Sequence, residues 1–423
     1  ALKSVTDGQW DWDAVVSTFN YNKDELRFPT GALPGSINGG AGTIQSMTDT
    51  GWITGDIKGY WRPQGMTGAH QVSFGVHGDQ YKLVNTSYST SAWNTGATGG
   101  PISANSLGKT QTYGLWAQDA WRFAPQYKLT LGGRVESWRA YDGFNFSAAP
   151  ASSVRQPTIG SSDFSPKASL SWAASADWQV TASYGTAYRY PTVSELYQAV
   201  TVSGVVYTPN PNLRPERAQS VELAIEHALE KGRVRLSLFQ EDLADGLISQ
   251  NSTIPGTNVV GSSVQNVERI LSRGLELVGQ QADVGTRGLD LSGSMTFVDS
   301  RIRSDPGFRN ANGVLTDVSN RYTPNIPRLK MTGLATYRYD EQWSGALGAR
   351  YSDRVWATID NTDANPGTYQ GFEKFLVFDA RLNYQFDKRT RASLGIDNLN
   401  NQRYFLFHPF PQRTVIGELK FNL

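Results

Sequence analysis

Four histidines, His70, His77, His227 and His408, are the whole imidazole supply of this chain, and there is no cysteine. Disulfide scaffolds, thiolate metal sites and cysteine nucleophiles are therefore excluded. No serine, histidine and carboxylate stand at a spacing that builds a hydrolytic triad, so the sequence does not read as an enzyme. His70 and His227 fall near short turns and His77 within an alternating run. His408 lies in Tyr404-Phe405-Leu406-Phe407-His408-Pro409-Phe410-Pro411, in a long connection, where it either faces an incoming small molecule or belongs to an aromatic loop packed on itself. Tyr190, Tyr207, Trp356, Tyr369 and Phe372 also sit in or beside long connections. Aromatic rings with arginines suit flat anionic metal chelates through stacking and charge, and they equally suit loop packing. Asp360-Asn361-Thr362-Asp363-Ala364-Asn365 has the acidity of a calcium loop without its glycine and terminal glutamate, so it reads as a polar loop and no resident metal site is assigned.

The densest group of unusual residues lies between 184 and 216. Val180, Ala182 and Tyr184 alternate with Thr181 and Ser183, and the run stops at Arg189-Tyr190-Pro191 because proline has no backbone donor. A second box, Asn210-Pro211-Asn212-Leu213-Arg214-Pro215-Glu216, precedes another alternating run at Val221, Leu223 and Ile225. The two boxes describe one long loop tied at both ends by prolines, with Arg189, Arg214 and Glu216 at its feet.

The elements that hold such a loop are legible as period-two runs. In 375–386, Leu376, Phe378, Ala380, Leu382, Tyr384 and Phe386 alternate with Asp379, Arg381, Asn383 and Gln385, giving one apolar and one polar face. Strands are predicted over 10–20, 50–61, 69–83, 109–123, 127–140, 164–174, 178–189, 219–229, 232–248, 265–282, 288–302, 326–338, 342–355, 374–386, 390–399 and 412–423. Most are long enough for a tilted strand to cross a bilayer. Connections alternate strictly between short ones, such as Ala124–Gln126 and Glu230–Lys231, and long ones near 21–49, 84–108, 141–163, 190–218, 249–264, 303–325, 356–373 and 400–411. An outer-membrane barrel sorts its loops this way, whereas a sandwich or propeller has no reason to. Aromatic residues near strand ends, including Trp10, Trp12, Trp52, Tyr60, Trp61, Trp121, Trp172, Trp178, Tyr337 and Trp343, are expected to form girdles at the headgroup level.

Composition agrees. The 423 residues carry a net charge of +1, with 42 glycines, 19 tyrosines and 12 tryptophans, so there is no basic field for nucleic acid. Mean hydropathy is −0.42, and no run reaches the ~18 apolar residues of a membrane helix. A barrel remains allowed, because only alternate residues meet lipid. The chain opens at Ala1 without a leader and reads as a mature chain or a fragment.

The paired boxes, Tyr184 to Tyr197 (with Arg189 and Pro191) and Asn210-Pro211-Asn212-Leu213-Arg214-Pro215-Glu216, closely resemble those of TonB-dependent outer-membrane receptors. Asp397-Asn398-Leu399-Asn400-Asn401-Gln402-Arg403-Tyr404 and Pro411-Gln412-Arg413 resemble the family's C-terminal segments. Tyr113 to Trp121 and Leu131-Gly132-Gly133-Arg134-Val135-Glu136 match as well. The resemblance implies an all-β, transmembrane antiparallel β-barrel in the bacterial outer membrane, with residues 1–423 forming the barrel portion. About 16 strands are present, where plugged receptors of this kind have about 22. The plug, its TonB-contacting box and the first strands would lie outside this sequence, and Leu423 stands where such barrels commonly end in an aromatic residue.

By the same resemblance the protein imports a metal chelate, first a ferric siderophore, driven by the TonB complex acting through that plug. The chelate is substrate, and no cofactor is implied. The expected surroundings are outer-membrane lipid and lipopolysaccharide. Ligand contacts are expected in the extracellular loops at Tyr190, Tyr207, Trp356, His408 and Phe410. Interior charges such as Arg134, Glu136, Asp379, Arg381, Glu418 and Lys420 would hold the plug. Cobalamin, copper chelate and haem are variants of the same reading, haem being disfavoured because 192–209 contains no histidine. Strand physics alone also allows a passive sixteen-stranded porin, and a soluble secreted β protein is a third option.

Overall fold

A computed structural model describes residues 1–6, 8–202, 205–253, 260–310, 312–363 and 365–422. The alternating runs become sixteen long strands, each antiparallel to the next: β1 Trp10–Asn20, β2 Gly51–Trp61, β3 His70–Thr90, β4 Ile102–Ala124, β5 Tyr127–Ala148, β6 Ile159–Ala173, β7 Trp178–Arg189 and β8 Glu216–Leu229. They continue as β9 Gly232–Thr253, β10 Val260–Gln281, β11 Leu289–Ser304, β12 Leu329–Arg338, β13 Trp343–Ser352, β14 Phe375–Gln385, β15 Thr390–Asp397 and β16 Thr414–Phe421. Short turns close one rim through local side-chain caps. Asp340 Oδ1 accepts from the backbone N–H groups of Gln342 and Trp343 at 2.8 and 2.6 Å, and Asp387 Oδ1 from Arg389 and Thr390 at 2.7 and 2.9 Å.

The strands run further at the opposite rim than the sequence suggests. β4, β5, β9 and β10 have 22 or 23 residues, about twice what a membrane strand needs. The long connection placed at 84–108, the described residues of 249–264, and the first part of 141–163 therefore belong largely to tall hairpins. Their polar residues conceal them from a hydropathy pattern. In the structure these residues bond across strands, as Gln45 Nε2 does to Asn85 Oδ1 at 2.8 Å and Thr86 Oγ1 to Asn105 Oδ1 at 3.2 Å. The 21–49 connection folds into a hairpin, Glu25–Pro29 with Gly42–Ser46, whose second arm pairs with the upper part of β3.

One sheet face carries Phe74, Val76, Leu115, Leu131, Val135, Phe164, Leu223 and Leu277, all exposed, as a lipid-facing wall requires. Trp10 stacks on Trp61 at 5.7 Å, Tyr127 on Trp172 at 6.3 Å and Trp178 on His227 at 4.2 Å along the short-turn rim. Those rings form the girdle. Trp52 and Tyr60 do not join it. Tyr60 pairs with buried Asp11, and Trp52 pairs with Tyr81, which puts both on the inner face.

The inner charges are satisfied largely along the wall itself. Arg134 pairs with Glu136 at 2.8 Å, Arg350 with Asp379 at 3.0 Å, and Arg381 with Glu418. Exposed pairs of this kind are worth about 0–1 kcal/mol each. Leu423 lies outside the described residues.

Two apolar clusters sit at the long-loop end. One joins Leu83, Trp138, Leu196, Tyr197 and Leu213; the other joins Val267, Ile270, Ile302, Phe308, Val318 and Ile359. Beside the second, burial pushes the Asp305 carboxyl up to about 6, with Glu268 adding to the shift, and its Oδ2 has no hydrogen-bond partner among the described residues. A raised folded-state value means that Asp305 favours the docked loop below about pH 4, and that this contribution disappears as pH rises through about 6. Hydrogen exchange at Phe308 and Val318, corrected for intrinsic rates, is accordingly expected to be slower at pH 5 than at pH 7.5. Asp305→Asn should flatten the difference; an unchanged pH dependence in that variant would show that another group is responsible.

Candidate ligand site at the long-loop mouth

Pro191 ends β7, and the next residues form a single helical turn, α1 Val193–Tyr197. Thr192 and Glu195 make a reciprocal capping box. Glu195 N–H donates to Thr192 Oγ1 at 3.2 Å, and Thr192 N–H to Glu195 Oε2 at 2.8 Å. The other Glu195 oxygen holds Arg189 at 2.6 Å. Glu195 is thus the hub of the first box, and the Thr192-x-x-Glu195 spacing is the sequence signal that identifies it.

Leu196 and Tyr197 are fully buried against β3, β4 and β5, each contributing about 2 kcal/mol of apolar burial. The ring of Tyr197 lies on Gly108 and Gly143; a Cβ at Gly143 would meet Tyr197 Cε1 at 2.6 Å, and one at Gly108 would collide with Cδ2. Asn145 Nδ2 donates to Tyr197 O at 2.7 Å, and burial pushes the Tyr197 hydroxyl up to about 12.

The second box fastens the other end. Asn210 N–H donates to Glu195 O at 3.0 Å, and Asn210 Nδ2 to Val264 O at 3.0 Å and Gln265 Oε1 at 3.1 Å. Pro211 follows in a turn, and Leu213 is buried in the cluster beneath. Arg214 pairs with Asp245 at 2.5 Å, which raises the guanidinium further above its ordinary value. Pro215 leads into β8, where Glu216 Oε2 accepts from Leu247 N–H at 2.7 Å. The charges of both boxes are used in tying the loop down.

The C-terminal motif is equally structural. Asn398 has φ +52°, a region asparagine tolerates, and its Nδ2 donates to Gln402 O at 2.8 Å and Pro411 O at 3.3 Å. Leu399 N–H donates to Phe378 O at 2.6 Å, and Arg413 N–H to Asn401 Oδ1 at 3.0 Å. Tyr404 is buried between Phe375 and Phe410, at 4.5 and 5.0 Å.

A cavity of about 610 Å³ opens between the start of α1 and the inner wall. Tyr190 and Trp138 stack at 5.5 Å on one side, and Trp52 and Tyr81 stack at 6.2 Å on another. The Tyr190 hydroxyl donates to Asp163 Oδ2 at 3.1 Å, and burial together with that carboxylate raises its pKa strongly. Asp79 adds a carboxylate to the lining and faces His77 Nε2 at 2.9 Å, while His77 Nδ1 faces Asp56 at 3.1 Å.

Of the residues expected to contact ligand, Tyr190 alone is assigned to this cavity among the described residues. Trp356 lies under the Arg354 guanidinium at 3.9 Å. His408 is at the tip of a small hairpin, edge-on to Tyr369 at 5.8 Å and beside Phe407 at 4.9 Å. The Tyr207 backbone pairs beside β10, but its side chain lies outside the described residues. In the 360–365 loop, Asp363 accepts from the N–H groups of Ala357 and Thr358, as a loop-capping carboxylate does; Ala364 lies outside the described residues. Trp52, Tyr81, Trp138 and Asp79 were missed because nothing local in sequence joins the three strands that carry them.

Long membrane-scale strands, loops sorted by rim, an outward apolar band and an aromatic-walled mouth define an outer-membrane β-barrel of the receptor class. The family model described as "TonB dependent receptor-like, beta-barrel" matches residues 4–399, and the chain belongs to that family. Among its relatives is the "Probable TonB-dependent siderophore receptor PiuA" of Acinetobacter baumannii, 24% identical over 297 residues, covering 69% of this chain and 37% of that protein. Another is the "Iron-regulated outer membrane virulence protein" of Vibrio cholerae, 26% identical over 249 residues, covering 56% of this chain and 33% of that protein. The solved structure of the unliganded ferric citrate transporter FecA matches in fold with a TM-score of 0.71 at 16% identity, covering 99% of this chain and 60% of that one. The chain spans about a third of the length of the curated relatives it matches. It is an outer-membrane protein, and its family is one of receptors and transporters, not enzymes.

Proposed function

We propose that this barrel works with a plug domain to import a metal chelate, a ferric siderophore in the first instance, with energy delivered by TonB. The observation that carries the reading is the cavity walled by Trp52, Tyr81, Trp138 and Tyr190, at the mouth of a chain of this family. Stacked rings offer flat, polarisable surface to an aromatic or conjugated chelator, and the Tyr190 hydroxyl adds a directional polar group. The relative named as a siderophore receptor supports the same choice. Trp356, His408 and Phe410 would touch the cargo earlier, as it approaches through the outer loops, and Tyr207 would join them from the 190–215 loop. Residues 1–423 are the barrel portion in this scheme, and TonB acts on the plug. Cobalamin, a copper chelate or haem would use the same route; family membership weighs against a passive porin.

Binding of hydroxamate, catecholate and citrate-type ferric chelates to the full-length receptor, followed by tryptophan quenching, tests the reading. Saturable micromolar or tighter binding of one class is expected, and no binding by any ferric chelate would refute the choice of cargo.

A further inference from the structure

We propose that the aromatic-walled cavity selects ferric chelates that carry a protonated amine arm and turns away polyanionic ones, a selectivity that rests on the chelate import proposed above. Charge and aromatic surface are sorted by depth along the inner face. At the level of the stacked rings, Trp52 lies opposite Tyr81, which lies opposite Thr110. One rung deeper, Asp79 stands between Thr54 and Thr112, and Thr112 lies opposite Trp138. On the next rung Asp56 lies opposite His77, Gly114 follows, and then come Glu136 and Asp163, two carboxylates directly opposite one another. Aromatic rings form the walls, and carboxylates form the floor.

That floor is short of positive charge. His77 Nε2 faces Asp79 at 2.9 Å and Nδ1 faces Asp56 at 3.1 Å, so one imidazole, with at most a single positive charge, serves two carboxylates. Arg134 pairs with Glu136 at 2.8 Å and packs over Gly114, where a Cβ would meet its Nη2 at 2.8 Å. Asp163 accepts from the neutral Tyr190 hydroxyl. Lys58, a rung below Asp56, lies opposite Asp13. Lys82 reaches the lining from a position that alternates with Tyr81 and Leu83, so its side chain leads to the outward face. Arg189 and Arg214 are taken up by Glu195 and Asp245. Four carboxylates, Asp56, Asp79, Glu136 and Asp163, thus meet one guanidinium and one imidazole, an excess of at least two negative charges.

Like charges facing each other across neighbouring strands are destabilising, so Glu136 and Asp163 gain from a cation brought over them. An ammonium is also drawn to the negative faces of aromatic rings, which Trp52, Tyr81, Trp138 and Tyr190 present above the carboxylates. The iron-bearing core of the chelate rests against these rings while its amine arm points down toward Asp79, the carboxylate of the lining. A tris-catecholate or citrate complex would bring further negative charge to the same floor and is repelled.

The test titrates the full-length receptor by tryptophan quenching with three forms of one ferric trihydroxamate: ferrioxamine B, whose pendant amine is protonated, its neutral N-acetyl derivative and its anionic N-succinyl derivative. All three share one iron core and differ in the arm. The protonated form should bind at least about tenfold more tightly than the acetyl form, and the succinyl form more weakly still. Asp79→Asn should bring the protonated and acetyl forms within about threefold of each other, with heat-modifiable migration as the check on folding. In the unaltered receptor the same margin should shrink at least about threefold between about 50 and about 500 mM salt, which keeps the charge dependence measurable if the variant does not fold. No margin in the unaltered receptor, a margin retained in the folded variant or at high salt, or preferential binding of ferric tris-catecholate or ferric citrate overturns the proposal. Failure of every ferric chelate to bind, whatever its charge, refutes the import of such cargo instead.

Discussion

Gly108→Val is expected to lift α1 off the inner wall while leaving the membrane strands intact. The Tyr197 ring rests on the bare backbone of Gly108 and Gly143, and α1 is a single turn whose attachment depends on the Leu196 and Tyr197 side chains. Overpacking of a filled site costs about 1–3 kcal/mol, and here most of it falls on one short segment because the clashing atoms belong to α1. Proteolysis within 190–215 should therefore accelerate roughly tenfold or more, a factor that corresponds to about 1.4 kcal/mol, with heat-modifiable migration unchanged. The control is a double-mutant cycle: in a Tyr197→Ala background the Gly108→Val cost should largely vanish. An equal cost in both backgrounds would place the strain elsewhere in β4.

Trp138→Ala is expected to be the most damaging single change to ligand capture. Trp138 is 4% exposed, forms part of the apolar cluster, and carries the stacked face of Tyr190. Truncation of a buried tryptophan costs about 3–5 kcal/mol. Part of that loss would appear as disorder of Tyr190, whose hydroxyl would no longer be held toward Asp163. Affinity for the chelate should fall at least about tenfold, whereas Trp138→Phe, which keeps a stacking face, should lose clearly less. Titration of the full-length receptor measures both; equal loss in the two variants would mean that volume, not stacking, is what the cavity supplies.

The strands were the most legible part of the molecule, because period-two alternation is imposed by lipid on one side and water on the other. The expectation for 10–20 against Trp10–Asn20, or 178–189 against Trp178–Arg189, needed no tertiary knowledge. Alternation fades where β3, β4, β9 and β10 rise above the membrane, since polar residues then occupy both faces, and those extensions read as loops. The paired boxes were conspicuous through their prolines, yet their role was less so: Arg189, Arg214 and Glu216 stand at the feet of the loop in the sequence, and only the structure pairs them with Glu195, Asp245 and Leu247. Trp52 shows the remaining limit. Position near a strand end does not say which face a tryptophan takes, and only an outward one joins a girdle; the pairing of Trp52 with Tyr81 places it inward.

The most direct measurement is accumulation of a radio-iron-labelled chelate by cells whose sole receptor of this type is the full-length protein. Uptake is expected to be saturable, to stop when the inner-membrane proton gradient is collapsed or TonB is deleted, and to weaken with Trp138→Ala. Passage that continues without energy, and admits unrelated small solutes at similar rates, would contradict energised import and indicate a passive channel.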